Sequence, residues 1–80
     1  MTLTEQDAER FSDNIIKLRR ERRLARAALA RRADIGADTL RLIEKGIRAP
    51  RLDTLLRLAD ALEVDPGALL KGLRPKGLRP

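Results

Sequence analysis

The side chains able to do chemistry in this sequence are almost all guanidinium, ammonium or carboxylate groups. There is no His, Cys, Tyr or Trp, and Ser12 is the single serine. A hydroxyl nucleophile needs an activating base beside it, and general acid–base work would fall to carboxylates with no partner. No Gly-rich phosphate loop is present either, so the residue types speak against an enzyme. Without thiolate or imidazole ligands, zinc and most other transition metals have no site, and no disulfide can form. No metal and no cofactor is expected. The cations, by contrast, are concentrated. Residues 15–58 hold thirteen bases and five acids, net +8, whereas residues 1–14 carry −3 and residues 59–80 carry +1. Such a basic stretch is the electrostatic footprint of a nucleic-acid binder, although a solvated helix face has the same look. RNA recognition by stacking needs aromatic platforms, and Phe11 is the only aromatic residue.

The elements that must hold these charges follow from composition and spacing. Eighty residues allow one small domain. The hydrophobic fraction is 42% but the aromatic fraction only 1%, so the core is aliphatic. Leu, Ala and Arg favour helices, and the strand-forming aromatics are missing. A domain this small is marginal alone, which makes self-association a reasonable expectation. No apolar run reaches the ~20 residues of a membrane span, and the acidic opening is no secretory signal. A cytoplasmic location, with no membrane partner, is therefore expected.

Five helices can be read. Thr4 and Asp7 form a capping box for a first helix from about Glu5 to Arg22, with Phe11, Ile15 and Leu18 inward. A short second helix runs from about Arg26 to Ala33, with Leu29, Ala30 and Ala33 inward, and Asp34-Ile35-Gly36 breaks it. A third runs from about Ala37 to Lys45, with Leu40 and Ile43 inward and Gly46 as terminator. After an extended Ile47-Arg48-Ala49-Pro50, a fourth spans about Leu52 to Leu62, with Leu52, Leu55, Ala59 and Leu62 as its inner stripe. Asp65-Pro66 starts a fifth that ends near Lys71. The last ten residues are a direct repeat of Lys-Gly-Leu-Arg-Pro. The expected organisation is a domain over residues 1–72, with residues 73–80 as a basic, disordered tail.

Two short helices joined by a tight turn raise the helix-turn-helix motif, here at about residues 26–45. Its steric demands are met: Ala30 where the helices cross closely, Asp34-Ile35-Gly36 for the reversal, Leu40 and Ile43 packing back. The run Leu24-x4-Leu29-Ala30-x4-Ile35-x3-Thr39-Leu40-x2-Ile43-Glu44-x-Gly46-x-Arg48-x-Pro50 follows, continued by Leu52-x2-Leu55-x2-Leu58-Ala59-x2-Leu62-x-Val64. On these residues the stretch from Ile15 to Leu70 resembles the Cro/C1-type (XRE-like, lambda-repressor-like) helix-turn-helix family. The chain departs from the family pattern at three positions: Ala25-Arg26 replace Ser-Gln, and Asp34 stands where Gly is usual.

The resemblance implies an all-α, five-helix DNA-binding domain whose third helix lies in the major groove of double-stranded DNA. It places Ala37, Asp38, Arg41 and Leu42 at the base-reading positions. Arg41 would pair with guanine, Asp38 accept from cytosine, and Ala37 or Leu42 meet a thymine methyl. Asp38 and Arg41 are also three apart on one helix face, where they could pair with each other instead. Arg26, Thr39, Lys45, Arg48 and Arg51 are assigned to phosphates. Arg19 and Glu44 match a structural ion pair of the family, linking the first helix to the third. Leu56, Val64, Leu69, Leu70 and Leu73 exceed what the core needs and suggest a two-fold homodimer interface, although Leu69 and Leu70 could instead cap the monomer core. The expected function is sequence-specific DNA binding on a (pseudo)palindromic operator by a bacterial, nucleoid-associated regulator, with RNA polymerase as a further candidate partner. Restriction–modification controllers, small phage repressors and antitoxin-type regulators share this scale. The rival reading is a helix-turn-helix scaffold used as a protein-interaction module, antitoxin-like or an adaptor, with weak non-specific DNA binding.

Overall fold

The computed structural model describes residues 4–74. Within them the chain forms five helices and no strand: α1 (Glu5–Glu21), α2 (Arg26–Ala33), α3 (Ala37–Glu44), α4 (Leu52–Leu62) and α5 (Pro66–Leu69). The bundle is closed by contacts of α2 with α3 and α4, of α1 with α3 and α5, and of α4 with α5. The core is aliphatic apart from Phe11. Ile15, Leu29, Leu40, Ile43, Leu58, Leu62 and Leu69 are essentially inaccessible to water, each burial contributing about 1.5–3 kcal/mol.

Local chemistry sets the ends of the helices. Thr4 caps α1 through a reciprocal box: its hydroxyl accepts from the Asp7 N–H at 3.1 Å, and its own N–H donates to Asp7 Oδ2 at 3.2 Å. At the end of α2, Asp34 takes the left-handed conformation (φ 55°, ψ 50°). The Ile35 N–H turns back to the Ala30 carbonyl at 3.0 Å, which closes the reversal. An Asp holds this conformation at lower cost than most residues, so the departure from Gly leaves the turn intact. Gly46 at φ 74° provides the corresponding exit from α3.

Three packing details differ from the sequence reading. Leu52 is 73% exposed, and Leu55, Leu58, Ala59 and Leu62 are the buried stripe of α4. Leu52 keeps the periodicity but sits in the first turn, where no helix covers it. Leu69 is fully buried in this chain's own core, so it has no surface left to offer a partner. The fold also continues past residue 72. Leu73 packs against the core, and the Arg74 N–H donates to Asp7 Oδ1 at 2.8 Å. That hydrogen bond, more than those from Thr4, holds the Asp7 carboxyl below the usual carboxylate range against the opposing effect of its burial. Asn14 reinforces the junction by donating to the carbonyls of Leu69 at 2.9 Å and Lys71 at 3.0 Å. The remainder of the expected tail, residues 75–80, lies outside the described residues.

Candidate nucleic-acid interface

The turn between α2 and α3 brings the starts of these two helices together, and neither start is capped by a side chain: Ala25 and Gly36 precede them. Beside them, Arg26, Ala27, Ala37, Asp38 and Arg41 line an open concavity of about 400 Å³. Thr39, Arg48 and Arg51 share a second recess with Thr54. A third, of about 320 Å³, joins Thr39, Arg48 and Arg51 to Asp34 and Arg57. Nearly all the sequence-derived contact residues thus flank one short helix. Lys45 is exposed and Leu42 half-buried, and neither lines these recesses. Arg57 and Ala27 were not singled out by the sequence. Arg57 reaches the recess through an ion pair with Asp34 at 3.3 Å across twenty-three residues, a tertiary contact with no signature in spacing.

Several of the cations are already engaged by carboxylates. Arg19 donates to Glu44 through Nε (2.8 Å to Oε2) and Nη2 (3.0 Å to Oε1), and its Nη1 donates to the Leu24 carbonyl at 2.9 Å. Arg26 donates through Nε to the same Glu44 Oε1 at 3.0 Å. The Glu44 side chain is 1% exposed, Arg19 12% and Arg26 42%. One buried carboxylate therefore ties α1, α2 and the end of α3 together, and neither Nη group of Arg26 makes a hydrogen bond among the described residues. Ser12 adds a hydroxyl hydrogen bond to the Glu44 carbonyl. On α3, Arg41 and Asp38 form a close ion pair, with Nη2 2.6 Å from Oδ1. Both remain substantially exposed. Arg51 lies 3.7 Å from Asp53 on a fully wet surface. No group of His, Cys, Asp and Glu side chains among the described residues could hold a metal ion.

The residues expected at a dimer interface divide. Leu56 and Leu70 are exposed, Val64 and Leu73 half-buried against the core, and Leu69 buried. Leu52 and Ile47 are exposed apolar residues that the sequence reading did not place there. An apolar groove of about 360 Å³ runs between Ala8, Phe11, Pro50, Leu52, Leu70 and Leu73. No helix of the described residues is long and apolar enough to cross a membrane.

Comparison with known proteins agrees with this architecture. Residues 15–69 match the helix-turn-helix family HTH_3. The restriction-modification controller protein C.AhdI from Aeromonas hydrophila superimposes with a TM-score of 0.78 at 28% identity, covering 80% of this chain and 97% of that one. An HTH_3 family transcriptional regulator from Vibrio cholerae gives 0.77 at 26% identity over 81% of this chain. The hydroxypropylphosphonic acid epoxidase from S. wedmorenis gives 0.74 at 26% identity over 84%. This chain spans only 36% of each of those last two. No curated protein matches the sequence.

Proposed function

The chain belongs to the Cro/C1-type helix-turn-helix family of DNA-binding transcription regulators, and from that premise we propose that it binds specific double-stranded DNA sequences as a homodimer. The observation that carries this reading is the ring of guanidinium groups around one short helix, with Arg26 and Arg41 on one recess and Arg48, Arg51 and Arg57 on the others. In this reading α3 enters the major groove. Arg41 and Ala37 face base edges, and Arg26, Thr39, Lys45, Arg48 and Arg51 approach phosphates. Leu42 is a poorer base contact than the sequence suggested, because it is half-buried and lines none of the recesses. Leu56 and Leu70, joined by Leu52, would form the two-fold interface, and the site would be a (pseudo)palindrome with half-sites about one helical turn apart, ~34–36 Å. Likeness to a controller protein over nearly its whole length supports a regulator of that kind, working on nucleoid DNA in the cytoplasm beside RNA polymerase.

The test is a gel-shift series on a selected and a scrambled duplex at several salt concentrations. Arg41→Ala should cost roughly 1–3 kcal/mol on the selected site and much less on the scrambled one. Arg48→Ala should weaken both alike and lower the salt slope by about 0.9 per protomer. Equal loss on both duplexes for Arg41→Ala, with altered sequence preference for Arg48→Ala, would reverse these roles. The second reading, a protein-interaction module, is favoured by the apolar groove beside Leu52 and Leu70. It predicts at most a weak, salt-sensitive shift that is the same on the selected and the scrambled duplex.

A further inference from the structure

A carboxylate on a helix presented to DNA repels phosphate, so Asp38 needs a role. It stands in the first turn of α3, where the helix dipole favours its charge. Its Oδ1 accepts from Arg41 twice, from Nε at 2.9 Å and from Nη2 at 2.6 Å. Those two N–H groups form the side edge of the guanidinium. The end edge, one N–H of Nη1 parallel to the second N–H of Nη2, makes no other hydrogen bond among the described residues. Such a fork matches a base that presents two adjacent acceptors in the major groove, and guanine does so with O6 and N7.

The surroundings leave space for that approach. The concavity beside the pair is bounded by Ala27 and Ala37, the smallest side chains with a Cβ, with Arg26 across it. Arg41 is 41% and Asp38 74% exposed, and an exposed pair of this kind does little for folding. What it changes is the guanidinium itself. An unpaired Arg samples many rotamers and takes any phosphate within reach. A paired one is pre-oriented and close to neutral, which weakens contacts with the wrong DNA as well as favouring the right one.

We propose that Asp38 is a positioning residue for base recognition: by occupying the side edge of Arg41 it aims the end edge at guanine, and so imposes a guanine at one position of each half-site. The inference rests on the reading that α3 lies in the major groove. It differs from direct cytosine recognition by Asp38, in which the carboxylate itself would face the base: here Oδ1 is engaged with Arg41 and the guanidinium meets the base.

The experiment selects the preferred duplex with the full chain and measures its binding with the guanine intact, replaced by 7-deazaguanine, or exchanged for adenine. The wild type should lose about 5- to 150-fold on either replacement. Asp38→Ala should compress that ratio below about 3-fold and at the same time raise affinity for an unrelated duplex. Asp38→Asn keeps an acceptor oxygen and should restore part of the discrimination. Thermal melting of all variants should match the wild type, which separates positioning from folding. The proposal is overturned if the selected half-site contains no guanine under Arg41. It also fails if Asp38→Ala keeps the guanine preference, or loses preference at a base pair that Arg41→Ala does not affect. If Arg41→Ala leaves every base preference unchanged, the placement of α3 itself fails, and that outcome is distinct from the others.

Discussion

Removing the Glu44 carboxylate should be among the most damaging single changes in the protein. In Glu44→Ala, Arg19 keeps only its hydrogen bond to the Leu24 carbonyl, and a guanidinium that is 12% exposed is left without a counter-charge. Breaking a buried pair in this way costs about 3–5 kcal/mol. At roughly 0.05–0.15 kcal/mol per residue the whole domain has about 4–12 kcal/mol of stability, so the variant should be partly unfolded or close to it. Arg26→Ala is the internal control. Arg26 is 42% exposed, and Glu44 keeps both hydrogen bonds from Arg19, so its loss should cost about 0–1 kcal/mol. The double change Arg19→Met with Glu44→Leu removes both charges at once and should recover most of the loss, because apolar replacements of buried pairs are often neutral or better. Urea unfolding followed by helical circular dichroism measures all three. With a slope of about 1–3 kcal/mol per molar, Glu44→Ala should lower the midpoint by at least about 1 M. Equal, small shifts for Glu44→Ala and Arg26→Ala would show that the carboxylate is effectively hydrated. A double variant as unstable as Glu44→Ala would show that shape, not charge, holds this junction.

Asp34→Gly should stabilise the fold by up to about 1 kcal/mol, because the left-handed backbone at φ 55° suits Gly and the exposed partner Arg57 loses little; thermal melting a few degrees higher is the expected sign. Asn14→Ala leaves the Leu69 and Lys71 carbonyls without their donor; it should cost about 1–2 kcal/mol and make the chain after α5 open to limited proteolysis. Asp7 is more acidic in the fold than its ordinary value, so its contribution is present above about pH 4 and fades as the pH falls through its lowered value. Acid titration of stability should therefore be steeper for the wild type than for Asp7→Asn, the two converging at the lowest pH.

Local chemistry carried most of the fold into view. The Thr4/Asp7 box, the spacing of Phe11 and Ile15, Ala30 at the close crossing and Gly46 after α3 are all short-range signals, and the helices begin and end where those signals fall. What periodicity lacks is knowledge of where the bundle stops. Leu52 and Leu69 obey the same apolar rhythm as their neighbours, yet one lies beyond the edge of the core and the other fills its centre. The difference depends on whether other helices cover a given turn, as α1 and α4 do for α5, which no window of sequence contains. The same reason hid the end of the domain. Leu73 and Arg74 look like tail residues until Asp7, sixty-seven positions earlier, is found to accept the Arg74 N–H.

Spacing offers one pair at the interface, Asp38 with Arg41, and the folded chain adds others that spacing does not contain. Arg26 meets Glu44, Arg41 meets Asp38, Arg51 lies near Asp53 and Arg57 meets Asp34. Among the described residues, Lys45 and Arg48 have no such partner. In a complex with DNA these two sets would contribute differently. An unpaired exposed cation can neutralise a phosphate with nothing to give up, so Arg48 and Lys45 would carry much of the sequence-independent, salt-sensitive affinity. A paired guanidinium gains only the difference between its carboxylate and the phosphate or base that shares it. That difference is small on random DNA and grows where the geometry of a base edge suits the fork that remains free. The thirteen bases of residues 15–58, taken as a count, would therefore overstate how strongly this face binds DNA in general, and understate how sharply it can discriminate.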